Sequence, residues 1–120
     1  MAGLSTPLRR FAINSVIEVL NIKGLERWID AGGLCVILFS GESWCDPCKK
    51  FRPHFNKAVN IFDHAEFIHV DVDKADDGLI REYGIQGVPQ VHVFNHGQFR
   101  GTVKGRTIIK IIPEIEAFND

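Results

Sequence analysis

The junction between an apolar run, Leu34-Cys35-Val36-Ile37-Leu38-Phe39, and the hexad Trp44-Cys45-Asp46-Pro47-Cys48-Lys49 constrains this chain most. The run is far too short to span a membrane, and its continuous apolar character suits a central strand covered on both faces. Beyond Pro47, Phe51, Phe55, Val59 and Phe62 recur at spacings of three and four, the pattern of a helix with one buried stripe. A strand, a short loop and a helix start therefore bring Cys45 to a helix N terminus, where unpaired N–H groups and the positive end of the helix dipole favour a thiolate. Cys45 is the better nucleophile of the pair; Cys48, one turn further in, is expected to be more buried and to stay protonated until needed. Two cysteines separated by two residues can close and reopen a small disulfide, or clip a metal. A tetrahedral metal site wants four ligands, yet there is no second Cys-x-x-Cys or Cys/His pair, and His54, His64, His69, His92 and His96 show no ligand spacing. No metal is expected.

With 120 residues the chain is sized for one domain, and a net charge of −1 offers no attraction to nucleic acid or an anionic membrane. Three cysteines with one adjacent pair suit a reducing compartment, so a cytoplasmic location is expected. The first fourteen residues hold Arg9 and Arg10 but no apolar stretch long enough for a secretory signal. Residues 1–12 read as an N-terminal extension to a single domain at 13–120.

The remaining elements follow from local signals. Val16 to Leu20 reads as a first strand, and Asn21 as the N-cap of a helix through about Ala31 that Gly32-Gly33 ends. The second helix should run from about Pro47 to Phe62 and bend at Pro53, which removes an internal N–H. Glu66 to Val72 reads as a strand, Asp73 to Asp77 as a polar turn, and Gly78 to Tyr83 as a short helix stopped by Gly84. A hairpin of Gln90–Phe94 and Gln98–Val103 should turn through Asn95-His96-Gly97. A last helix beginning near Thr107 would point Ile108, Ile111, Ile112, Ile115 and Phe118 inward. Pro113 either kinks that helix or marks a late start in its first turn. These elements predict an α/β fold with a mixed sheet and helices on both faces. Pro89 leads into a strand that must be central, where proline is unexpected; a cis peptide before it resolves the conflict and exposes backbone groups beside the cysteines. An extended substrate segment could pair with Val88 there as an added strand.

The hexad, Pro53 five residues after Cys48, the Gly87-Val88-Pro89 segment, and Gly97 and Gly105 near the end occur in the order of the thioredoxin family, which the chain resembles from about Ile13 onward. The resemblance implies the thioredoxin fold with its sheet order, and a thiol–disulfide oxidoreductase that reduces protein disulfides without a bound cofactor. It also implies a soluble monomer active in cell redox homeostasis and recycled by an external electron donor such as a thioredoxin reductase. Cys45 would attack a substrate disulfide and Cys48 would then attack the mixed disulfide. Trp44 would lie over the active surface, or pack as a partly buried aromatic on the sheet, while Gly87, Val88, Pro89 and Gly105 would form the substrate groove. Two other readings remain: a binding or chaperone-like adaptor in which redox activity is secondary, and a disulfide oxidase or isomerase.

Two departures bear on tuning. Well-known members carry glycine where this chain has Asp46; an acid suits the first helical turn, yet its charge disfavours a Cys45 thiolate, so a more reducing couple is expected. Pro47 presets the first helical turn. Members also bury an aspartate six residues before the first cysteine, to assist proton transfer at the second. That position is Phe39, or Leu38 if one residue is inserted, and neither titrates. Glu42 and His69 are the candidates to substitute for it, against the alternatives of a solvated loop carboxylate and a hydrogen-bonded strand histidine. Cys35 reads as a small buried hydrophobe. Lys49, Lys50, Arg52 and His54 read as a solvated basic face, and His92, if buried, needs a hydrogen-bond partner.

Overall fold

A computed structural model describes residues 15–119, so the 12/13 boundary expected from the sequence lies outside the described residues. In chain order the elements are β1 (Ile17–Glu18), α1 (Ile22–Asp30), β2 (Leu34–Ser40), α2 (Asp46–Ala58), β3 (Ala65–Asp71), α3 (Asp77–Glu82), β4 (Gln90–Asn95), β5 (Gln98–Val103) and α4 (Ile108–Ala117). The sheet has the order β1-β3-β2-β4-β5. β3 is parallel to β1 and β2, whereas β4 runs antiparallel to both β2 and β5.

All seven residues of β2 are buried, which is why the run shows no polar alternation. Its two faces enter different cores. Leu34, Val36 and Leu38 join Phe51 and Phe55 of α2 and Ile111 and Ile115 of α4. Cys35, Ile37 and Phe39 join Leu25 and Ile29 of α1 and Leu79 of α3. Helices α2 and α4 therefore cover one face and α1 and α3 the other. Phe55 is fully buried, and its truncation to alanine would cost about 3–5 kcal/mol.

Several boundaries differ from the sequence reading for local reasons. β1 spans only two paired residues, although Val19 N–H still donates to His69 O at 3.0 Å. Asn21 caps α1 as expected, its side chain accepting from Gly24 N–H at 2.7 Å. α2 ends at Ala58 rather than Phe62, and Asn60, Ile61 and Phe62 continue as turns whose N–H groups bond to Lys57 and Ala58. Pro53 lies on the exposed side of α2, where water can take the carbonyl it leaves unpaired. Pro113 sits in the interior of α4, so the late-start alternative is corrected. It too is exposed, and the unpaired carbonyl belongs to Ile109, whose residue is 81 % exposed. The hairpin loop has two residues instead of three: His96 and Gly97 both take positive φ, 55° and 76°, as a tight hairpin demands. Asn95 stays in β4 and donates its amide to Phe118 O at 2.9 Å, tying the hairpin to the end of α4.

Candidate active site

Helix α2 starts where the sequence places it, and Cys45 is itself the N-cap: its Sγ accepts from Cys48 N–H at 3.2 Å. The sulfur thus takes one of the N–H groups a helix start leaves open, the local reason that this position supports negative charge. Cys45 and Cys48 are joined as a disulfide, with Cα atoms 5.2 Å apart. Both are buried, Cys48 completely and Cys45 at 3 % exposure, while Asp46 and Pro47 face solvent in the first turn. The Val88-Pro89 peptide is cis, and Val88 O lies 3.9 Å from Cys45 Sγ. A backbone acceptor thus stands beside the sulfur at which a substrate would bond.

Trp44 lies over this surface rather than packed on the sheet: it is 59 % exposed, and its indole N–H donates to both carboxylate oxygens of Asp73 at 2.8 Å. Gly41 makes room for the ring, since a Cβ there would stand 2.5 Å from Trp44 Cε2. Trp44 borders a hollow with Val72, Asp77, Ile80, Ile85, Gln86, Gly87 and Val88, and the Val88 carbonyl connects this hollow to the disulfide.

The segment around Pro89 is anchored from behind by a residue that sequence reasoning missed. Arg106 donates to Pro89 O at 3.1 Å and to Val103 O and Gly105 O at 3.0 and 2.8 Å, and its guanidinium stacks 5.1 Å above the Phe51 ring. Gln90 donates to Gly87 O at 2.7 Å and accepts from His92, the partner that the buried imidazole requires. Gly105 is tied to this segment through Arg106, and an added side chain there would run into α4. A Cβ there would meet Glu114 Oε2 at 2.6 Å and Lys110 Cβ at 2.7 Å. The same Glu114 carboxylate accepts from Lys104 and Gly105 N–H, both at 2.7 Å.

The tuning residues sort by face. Phe39 is corrected: it packs in the α1/α3 core, on the side of the sheet away from the cysteine helix. Leu38 occupies the α2 side and pairs in register with His69. His69 and Glu42 are brought together with Glu18, Ser40 and Arg52. His69 Nδ1 lies 2.6 Å from Glu18 Oε1, and Nε2 2.6 Å from Ser40 Oγ. Ser40 Oγ donates to Glu42 Oε2 at 3.1 Å, and Arg52 bonds Glu42 at 2.7 Å and Glu18 at 3.0 Å. Ser40 and His69 are buried and the two glutamates open to solvent. The Glu18 carboxylate accepts from His69 Nδ1–H, and the Ser40 hydroxyl bridges the imidazole to Glu42.

Of the expected basic face, Lys49 and Lys50 are exposed, whereas Arg52 joins this network and His54 Nδ1 accepts from Ile108 N–H at 3.0 Å. His54 thereby caps α4, whose own N-cap residue Thr107 makes no side-chain bond. Cys35 donates its S–H to Trp28 O at 3.2 Å. Burial, and secondarily the charge of Glu66, push its thiol up to about 11, which keeps it protonated and inert. Among the described residues no group of three or more His, Cys, Asp or Glu side chains could hold a metal ion.

Comparison with known proteins agrees with this geometry. The Thioredoxin family model matches residues 17–117. The thioredoxin of Mycoplasma genitalium is 32 % identical over 88 % of this chain and 99 % of its own length. A crystal structure of Schistosoma mansoni thioredoxin superposes with a TM-score of 0.76 at 32 % identity, covering 88 % of this chain and 96 % of that one. The oxidised mitochondrial thioredoxin 3 of Saccharomyces cerevisiae has the same fold, with a TM-score of 0.76 at 24 % identity over 85 % of this chain and 94 % of its own. The sheet order, the disulfide capping α2 and the cis-proline strand beside it thus coincide with an independent match over most of the chain, which belongs to the thioredoxin family.

Proposed function

We propose that this thiol–disulfide oxidoreductase reduces protein disulfides with Cys45 as nucleophile and Cys48 as resolving thiol. The observation that carries the assignment is the capping geometry: Cys45 Sγ receives the Cys48 N–H, so negative charge is favoured on Cys45. In the reduced protein the Cys45 thiolate attacks one sulfur of the substrate disulfide, forming a mixed disulfide and releasing one substrate thiolate. Cys48, losing its proton, then attacks Cys45 Sγ; the second substrate thiol leaves and the Cys45–Cys48 disulfide forms. Two electrons have passed to the substrate. An external electron donor of the thioredoxin reductase type returns the pair to the dithiol, and no bound cofactor takes part.

Val88 O and the Trp44 hollow support docking of an extended substrate segment beside the disulfide. We further assign a monomer working in a reducing, cytoplasmic setting, where a couple near that of other family members runs towards reduction. The test is turnover of insulin disulfides by the purified chain, with dithiothreitol as electron donor, compared with Cys45→Ser. Loss of turnover in the variant is expected; equal turnover would refute the assignment. A reduction potential well above that of the glutathione pool would refute the direction while leaving the residue roles intact.

A further inference from the structure

Away from the disulfide, the sheet face over β4 and β5 is left partly uncovered, because α3 is only six residues long and stops at Tyr83. Four rings meet there. Phe94 and Phe99 oppose each other in the β4–β5 register, with centroids 5.4 Å apart and planes at 60°. Tyr83 stands against Phe94 at 6.2 Å and 83°, and His92 lies 5.3 Å from Phe99. Phe94 and His92 are buried and make a floor; Tyr83 and Phe99, which make no ring contact with each other, rise as walls. With Glu82 at the rim they enclose a cleft of about 220 Å³.

The chemistry of this cleft is one-sided. Aromatic rings attract cations through their negative faces, and four rings border this one volume. Glu82 adds a carboxylate, and neither lysine nor arginine lines the space. Burial, and then the charges of Glu26, Glu82 and Asp30, push the Tyr83 hydroxyl above its ordinary pKa, so negative potential reaches the wall itself. Burial pushes His92 down, which leaves its imidazole neutral near pH 7 and adds no positive charge to the floor. Phe99 keeps 54 % exposure on an edge strand even though its ring packs against Phe94 and His92.

We propose that the Tyr83–His92–Phe94–Phe99 cleft binds an alkylammonium group, with Glu82 as its counter-ion. An anion would be repelled, and a neutral apolar group would gain from burial alone. The same chemistry is carried by a free quaternary amine and by a lysine or methylated lysine of a partner protein.

The test uses the intact oxidised chain and follows the ring resonances of Tyr83, Phe94 and Phe99 by NMR. Three probes are titrated: choline, its neutral isostere 3,3-dimethylbutanol, and an N-acetyl trimethyl-lysine amide. Saturable shifts confined to these rings are expected, with choline bound about tenfold more tightly than the isostere. Tighter binding of the lysine derivative than of choline would assign the site to a partner side chain, and the reverse order to a free amine. Phe99→Leu, which keeps apolar bulk at an exposed position, and Glu82→Gln should each weaken choline binding severalfold and leave insulin reduction unchanged. Equal binding of choline and the isostere, no saturable shift, or undiminished binding in Phe99→Leu would overturn the proposal.

Discussion

Replacing Gly41 by alanine isolates the placement of Trp44 from everything else at the active surface. The added Cβ would stand 2.5 Å from Cε2, 2.6 Å from Cζ2 and 2.7 Å from Nε1 of the indole, whereas ordinary contact begins at 3.4 Å, so the ring must retreat by about 0.9 Å. The backbone has little room to yield, because Gly41 is buried and its carbonyl accepts from Cys45 N–H at 3.3 Å. The exposed indole gives way instead, and its 2.8 Å bonds to Asp73 are lost. A hydrogen bond to a carboxylate at a solvent-exposed place contributes about 1 kcal/mol, so unfolding by urea should register a loss of that order. Only two tryptophans exist, so the Trp44 indole N–H is one of two such resonances and its movement towards a water-exposed position is read directly. Insulin reduction should fall severalfold as the wall of the hollow beside the disulfide is displaced. Asp73→Ala removes the same bond from the other side, so the double variant should be no less stable than the worse single one. An unmoved Trp44 resonance and full activity in Gly41→Ala would refute the reasoning.

His69→Leu removes the centre of the Glu18–His69–Ser40–Glu42 chain and strips the buried Ser40 hydroxyl of one partner; urea unfolding should show a loss of about 2 kcal/mol, and a loss below about 0.5 kcal/mol would contradict the network. Arg106→Met releases the Pro89 carbonyl and should raise KM for a protein disulfide severalfold with a smaller effect on kcat, whereas a loss of stability with unchanged kinetics would reduce Arg106 to a structural role. With its thiol pushed up to about 11, Cys35 is thiolate in only about one molecule per thousand at pH 8 and gains reactivity only as pH approaches that value. Iodoacetamide should therefore label Cys45 in the reduced, folded protein long before Cys35, and comparable rates would contradict the burial argument.

The features legible in the sequence were those carried by neighbouring residues. The apolar run of β2, the stripe of Phe51 and Phe55, the cap at Asn21 and the cis peptide at Pro89 each follow from a few adjacent side chains and a local physical rule. The limits are equally physical. A strand buried on both faces has no polar alternation to show which residue points where, so the choice between Leu38 and Phe39 waited for the packing of α2 and α1. Contacts assembled from distant segments were hidden for another reason. Asp73 holding Trp44, Arg106 holding Pro89, His54 capping α4 and Glu18 meeting His69 each join elements that the fold alone brings together. Pro113 shows a third limit: whether a proline is tolerated inside a helix depends on whether the carbonyl it orphans faces water, and here Ile109 does.

The most direct test of the central claim is mass spectrometry of the adduct trapped when reduced Cys48→Ser meets a protein disulfide. The account predicts one covalent mixed disulfide per chain, mapped to Cys45, and none with Cys45→Ser under the same conditions. An adduct on Cys48 in the Cys45→Ser protein, formed as fast as that on Cys45, would contradict it.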